Sequence, residues 1–154
     1  MRLDNIDAKI LACLQADATR TNADIAEAVN LSANACWRRI KLLEENGYIR
    51  GRVALVDREK VNKALTVFVE VRTNQHDDNW FHQFSSAVRR IPEVIELHRL
   101  SGHVDYMLKL AVCDIKDYDR VYKQIVKAAP LFDVTSYISM ETLKDTTEIP
   151  VDPV

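Results

Sequence analysis

The chain of 154 residues is 47% hydrophobic and 29% charged, with three Gly and four Pro, which describes a packed globular protein and excludes a disordered chain or a (β/α)8 barrel of about 250 residues. The net charge of −2 averages two halves of opposite sign, since residues 1–63 carry 11 Lys and Arg against 9 Asp and Glu and residues 64–154 carry 10 against 14. No run of roughly 18 apolar residues is present to span a membrane and the opening MRLDNIDAK has no apolar signal stretch, so a cytoplasmic protein is expected.

Residues 1–50 read as three short helices. After Asp4 or Asn5 as N-cap, Ile6, Ile10, Leu11 and Leu14 recur at helical spacing to about Gln15. A polar break at Asp17–Thr21 follows, and Thr21 or Asn22 caps a second helix with Ile25, Ala26 and Val29 facing inward. Asn30 ends it, being one of the few residues other than Gly that tolerate a left-handed backbone. Ser32 caps a third helix with Cys36, Ile40 and Leu43 on its inner face, stopped by Asn46 and Gly47. Two helices joined by a tight turn, the second presenting charge outward, outline a helix-turn-helix over about residues 22–41.

Between Arg38 and Arg52 five positive charges (Arg38, Arg39, Lys41, Arg50, Arg52) face two negative ones (Glu44, Glu45). Such a patch neutralises phosphates and releases counterions, so duplex DNA is the expected partner. Base edges are read from the first turns of a recognition helix, which puts Ala33, Asn34, Trp37 and Arg38 in the groove. Ser32 is a cap whose hydroxyl can also meet a phosphate at the helix N-terminus, and Lys41 and Arg52 reach the backbone. Two residues stay open between readings. Arg39 borders the inner face and serves either DNA or a structural ion pair, and Trp37 either packs against its own domain or touches a sugar or thymine methyl. YIRGRVALV then alternates around Gly51 as a hairpin wing, closing a domain of residues 1–56. Residues 57–63, charged and without apolar period, read as a linker.

From Leu65 the period becomes alternating: Leu65, Val67, Val69 and Val71 form a strand, and Trp80, Phe81, Phe84, Val88 and Ile91 form a helix face ending near Pro92. Val94–Leu100 and Val104–Val112 read as strands around Ser101–His103, Ile115–Val126 as a second helix before Pro130, and Val134–Glu141 as the last strand. The order βαββαβ is a ferredoxin-like unit, so the fold class is α+β, with this domain over residues 64–144 and an arm over residues 145–154. Two helices cover only one face of its sheet. Phe68, Met107 and Ala111 on the other face suggest a homodimer built face to face. Three cysteines without CxxC spacing (Cys13, Cys36, Cys113) read as buried apolar residues. His98, His103 and Asp105 do not make a convincing metal site, and neither a metal nor a cofactor is expected.

The stretches NADIAEAVNLSANACWRRIKLLEENGYIRG, VFVEV, LSGHVDYMLKLAV and TSYISMETLK resemble, in order and over nearly the whole chain, the Lrp/AsnC (feast/famine) family of transcription regulators. The resemblance implies a winged helix-turn-helix joined to an amino-acid-responsive βαββαβ domain, assembled as dimers and often as tetramers or octamers, regulating genes of amino-acid metabolism or transport. Leu31 and Ser32 stand where the family's third helix begins, and Ser101, Gly102, Val104, Asp105 and Tyr106 match its Ser-Gly-acid-x-Asp-Tyr effector loop, with His103 in place of the acid. An effector site is therefore expected at Gly102, His103, Val104, Asp105 and Tyr106, where loop N–H groups hold an α-carboxylate and Asp105 or a neighbour meets the α-amino group. The family adds Thr135 and Ser136 from an adjoining subunit. The exchange of an acid for His103 favours a non-basic amino acid.

Two other functions compete with an effector-responsive regulator. One is an architectural DNA-binding protein indifferent to effectors. The other is a small enzyme using His98, His103 and Asp105 as acid and base, for which no nucleophile with a paired base, phosphate loop or metal cluster is evident, so a protein that is not an enzyme is expected.

Overall fold

Helices α1 (Asn5–Ala16), α2 (Asn22–Ala28) and α3 (Ala33–Glu45) occupy the first 45 residues of the computed structural model, which describes residues 1–153. Each starts on a side-chain cap: Asp4 accepts from the N–H groups of Ile6 and Asp7, Thr21 from Asp24 and Ser32 from Ala35. Asp7 and Asp24 bond back to the cap N–H groups, so α1 and α2 open on reciprocal boxes that satisfy otherwise orphaned donors. The stops of α2 and α3 share one device. Asn30 takes φ 57° while Leu31 N–H donates to Ala26 O and Asn30 N–H to Glu27 O; Gly47 takes φ 75° while Tyr48 N–H donates to Leu43 O and Gly47 N–H to Glu44 O. These are paired Schellman closures, which need a left-handed residue at the turn. Ile10, Leu11, Leu14, Ile25, Ala26, Val29, Cys36, Ile40 and Leu43 form the core of this unit. It comprises Met1–Leu55 and the residues from Lys144 onward.

The hairpin wing does not form. Residues 50–57 have no sheet partner, and Val53, Leu55 and Val56 are 81%, 75% and 64% exposed. The expected linker is more ordered than its composition suggested: residues 58–61 make one turn closed by Asn62 at φ 55°, with Lys63 N–H on Arg58 O.

The second unit, Val56–Leu143, contains β1 (Leu65–Arg72), α4 (Asp78–Val88), β2 (Val94–Arg99), β3 (Tyr106–Val112), α5 (Ile115–Ala128) and β4 (Asp133–Ile138). Its antiparallel sheet has the order β2-β3-β1-β4, the ferredoxin-like arrangement expected from the βαββαβ pattern. Val67, Val69, Val71, Leu108, Leu110 and Val112 point to one face and pack with Trp80, Phe84, Val88, Val121 and Ile125 of the helices. The opposite face carries Phe68, Glu70, Met107, Lys109 and Tyr137. Phe68 is 37% exposed and Met107 half-buried, but Ala111, expected to be open, is buried beside Lys63 and Ile95. The turn of residues 58–63 explains this, since Arg58 reaches Thr66 Oγ1 and Lys63 reaches Asp117 on that edge. Of the cysteines only Cys36 is fully buried; Cys13 and Cys113 are half-buried.

Candidate nucleic-acid interface and effector loop

A helix turns about 100° per residue, so residues 34, 37, 38, 41 and 45 of α3 share one stripe while Cys36, Ile40 and Leu43 lie opposite it in the core. Asn34, Trp37, Arg38 and Lys41 are all exposed, Trp37 by 46%. Trp37, Arg38, Lys41, Leu42 and Glu45 line one shallow groove on this face. Trp37 lies outside the core of its unit. Leu42 and Glu45 were not singled out from sequence, although their spacing from Arg38 places them there. Ser32 and Ala33 are exposed at the start of the helix, with the Ser32 hydroxyl accepting from Ala35 N–H at 3.2 Å.

The positive charges are not equally free. Among the described residues Arg38 makes no ion pair, whereas Lys41 lies 3.8 Å from Glu44 and Arg52 3.1 Å from the same carboxylate. Arg39 turns away from the stripe. Its Nη1 donates to Asp7 Oδ1 at 2.8 Å and to Asp4 Oδ2 at 2.7 Å. Asp7 is 2% exposed, so the pair compensates a buried carboxylate whose other partner is the Asp4 N–H. These bonds, Asp7 first, raise the Arg39 pKa. The Asp7 N–H and then Arg39 hold Asp4 below the usual range. The expectation that Arg39 contacts DNA is thus corrected in favour of its structural alternative. The signal that could have found its partners was the Asp-x-x-Asp spacing of the α1 capping box.

In the second unit the link from β2 to β3 is tied by Leu100 N–H on Asp105 O (2.8 Å) and Asp105 N–H on Val71 O (3.2 Å). Gly102 has φ 132°, which a side chain would strain. Ser101, Gly102 and His103 are exposed, and Val104 is half-buried. Asp105 uses Oδ2 to accept from Thr73 N–H at 2.8 Å, while its Oδ1 lies 4.0 Å from His76 Nδ1. Thr73 and His76 carry no local sequence signal; the β1–β3 register, with Val71 opposite Tyr106, brings them to Asp105.

Two expected members of this site, Tyr106 and Ser136, face the helix-covered side of the sheet in their own chain. Tyr106 is 5% exposed and packs against the stacked pair Trp80 and Phe84, with ring centroids 5.6 and 5.2 Å away, because it is the first residue of β3 on the helix-covered face. Desolvation there raises its phenol pKa. Thr135 and Ser136, being consecutive in a strand, point to opposite faces. Ser136 bonds to the Tyr118 hydroxyl under the helices, and Thr135 takes the outer face opposite Glu70. His98 pairs with Glu96 at 3.0 Å on the outer face. Among the described residues no group of three His, Cys, Asp or Glu could hold a metal ion, and no helix is long and apolar enough to cross a membrane.

Two family models match the chain: the winged helix-turn-helix DNA-binding domain over residues 3–50 and the Lrp/AsnC ligand binding domain over residues 66–149. The Glutamate uptake regulatory protein of Zymomonas mobilis subsp. mobilis is 49% identical over 150 residues, covering 97% of this chain and 92% of its own. The crystal structure of an AsnC family transcriptional regulator from Agrobacterium tumefaciens superposes with a TM-score of 0.93 at 49% identity, over 96% of this chain and 97% of that one. A transcriptional regulator from Neisseria meningitidis, solved as its L-Met complex, superposes with a TM-score of 0.90 at 32% identity, over 96% of each chain. With an outward basic stripe on the second helix of a helix-turn-helix, a ferredoxin-like second unit and matches that span both, the chain belongs to the Lrp/AsnC family of transcription regulators.

Proposed function

We propose that the protein reads duplex DNA with the α3 stripe Asn34, Trp37, Arg38 and Lys41, assisted by Ser32 and Ala33 at the helix start and Arg52 beyond its end. The observation that carries this reading is Arg38, without an ion-pair partner among the described residues, on an exposed stripe with Asn34 and Trp37. A guanidinium free of carboxylates is available to a guanine edge or a phosphate. Arg39 is left out, its charge being engaged by Asp4 and Asp7. Fluorescence anisotropy with duplexes selected from random sequence tests it; binding that does not discriminate between duplexes would favour the architectural alternative.

The effector is a non-basic amino acid held at Gly102, His103, Val104 and Asp105, with Thr135 of an adjoining subunit as a further contact. Glutamate in the name of one relative and L-Met in the complex of another support an anionic or neutral side chain. Tyr106 and Ser136, turned to the helix-covered side of the sheet, are left out of the contact set. Screening the twenty amino acids for thermal stabilisation tests this, since a ligand at a hundred times its Kd adds about 2.7 kcal/mol to the folded state.

The working form is a cytoplasmic homo-oligomer whose basic unit is a dimer, supported by half-exposed Phe68 and Met107 on the uncovered sheet face and by apolar Val53, Leu55 and Val56 open to solvent in a single chain. No catalytic role is assigned, because His98 is paired with Glu96 and Asp105 with the Thr73 N–H.

A further inference from the structure

The residues from Lys144 onward belong to the same unit as α1, α2 and α3, although they follow β4 in the chain. Two anchors hold them. The Gln15 carboxamide near the end of α1 bonds the peptide group of Ile149 at both ends, donating from Nε2 to Ile149 O at 3.0 Å and accepting Ile149 N–H on Oε1 at 2.8 Å. Val151 is half-buried against the core that α1, α2 and α3 share, the cluster of Ile10, Leu14, Ile25, Cys36, Ile40 and Leu43 among others. The chain leading to them is open: residues 141–150 are all exposed, Leu143 by 87% and Ile149 by 69%.

This balance defines the device. Pro150 and Pro153 remove backbone donors and fix φ, and a residue before proline is confined to extended backbone, so Ile149 and Asp152 present the chain already straight. Preorganisation of this kind lowers the entropy lost on docking. One amide pair and one half-buried valine are nevertheless few contacts to order about ten residues. The segment is held firmly enough to dock and weakly enough to leave.

We propose that the segment from Lys144 onward is a releasable strap, tying the end of the β4 chain to α1 and, through α1, setting the rigidity of α3. The path is covalent from Ile138 to Ile149, then hydrogen-bonded to Gln15. From α1 it passes to α3 through Asp4 and Asp7 on Arg39. Its consequence for DNA rests on reading α3 as the DNA-contacting helix; the docking itself does not.

Hydrogen exchange on the full chain tests the strap without DNA, comparing wild type with Gln15→Ala, Val151→Asp and a chain ending at Leu143. The Ile149 amide is expected to be protected in wild type and to lose protection in both point variants. Exchange of the peptide spanning residues 5–16 should rise several-fold, by a similar factor in all three variants, while residues 65–72 and 106–112 stay unchanged. The double variant should be no faster than either single one. An unprotected Ile149 amide in wild type, or an α1 peptide indifferent to loss of the segment, overturns the proposal. A second measurement uses a fluorescent 30-base-pair duplex at low salt: a Kd changed at least threefold on release supports the link to α3, and equal Kd values overturn it. If no form of the protein binds the duplex, the DNA reading fails and exchange alone decides the strap.

Discussion

Arg39 Nη1 lies 2.8 Å from Asp7 Oδ1, joining the helix that presents the basic stripe to a carboxylate sealed inside the same unit. Because Arg39 keeps 31% of its side chain in solvent while Asp7 keeps 3%, the two ends of the pair differ in worth. Removing Arg39 leaves Asp7 buried with only part of its hydrogen bonding. Arg39→Ala should therefore destabilise the first unit by about 2–3 kcal/mol, measured by urea unfolding followed through Trp37 fluorescence in a Trp80→Phe background. The double variant Arg39→Leu with Asp7→Leu, which removes the stranded charge, should recover much of that loss. A stable Arg39→Ala protein with weakened DNA binding would return Arg39 to the DNA face.

Arg38 and Lys41 sit on the same stripe yet should behave differently. Arg38→Ala should cost about 1–3 kcal/mol on a preferred duplex and little on a random one, as expected of a base contact. Lys41 already lies 3.8 Å from Glu44. Its loss should weaken all duplexes alike and reduce the salt slope by about one. Unfolding curves of both variants should overlay wild type, since neither side chain is buried. Unchanged Kd values in both would remove α3 from the interface.

Most of the first unit was legible because each boundary has a local chemical cause: Asp4, Thr21 and Ser32 start helices, and Asn30 and Gly47 stop them. The six elements of the second unit followed from periodicity in the same way. What the sequence could not convey depends on distance in the chain. Alternation in YIRGRVALV marks a segment able to pair, but pairing needs a partner strand that this chain does not supply. Tyr106 and Asp105 are neighbours in a motif, and the pleat sends one into the Trp80–Phe84 cluster and the other to Thr73. The tail read simply as an arm because nothing in residues 145–153 names Gln15, 134 positions before Ile149, as its anchor.

Acid should unfold the second unit through Asp117. Its carboxylate accepts the Cys113 N–H at 3.0 Å, Arg120 Nη2 at 2.6 Å and Lys63 Nζ at 3.0 Å, contacts that in this order hold its pKa far below the ordinary carboxylate range. A group whose pKa is depressed by folding stabilises the native state above its unfolded pKa and loses that contribution as pH falls toward the folded one. Stability of this unit should thus be flat above about pH 5 and fall steadily below pH 4. Asp117→Asn should cost roughly 1–3 kcal/mol at pH 7 and flatten the acid limb. An acid limb as steep in Asp117→Asn as in wild type would show that other carboxylates govern it.

The uncovered sheet face makes a separate prediction about assembly. Met107 lies opposite both Glu70 and His98 in the sheet, beside Phe68 and Tyr137 on the same face. A carboxylate there faces Glu70 and is carried into an apolar seam, which costs several kcal/mol, so Met107→Asp should raise the dimer dissociation constant by at least about a hundredfold in sedimentation equilibrium. Lys41→Ala, on α3, should sediment as wild type. Identical association of Met107→Asp and wild type would move the dimer contact to another surface.

His103 sits exposed on the loop beside Gly102, where the family pattern carries an acid. If loop N–H groups hold the α-carboxylate, the residue at this position lies close enough for its charge to select among side chains. An added carboxylate near an anionic side chain in a solvated loop costs on the order of 1 kcal/mol, a factor of about five in Kd. His103→Asp should therefore weaken binding of an acidic amino acid about fivefold, improve binding of lysine, and lose both effects in about 0.5 M salt, where charges more than a few ångströms apart are screened. His103→Asn separates charge from shape, because it alters the side chain without adding a negative group. Calorimetric titration of the three proteins with glutamate, methionine and lysine gives the answer. Equal affinities of His103→Asp and His103→Asn for every ligand would mean that residue 103 faces solvent, and tight binding of lysine by wild type would reject the non-basic effector.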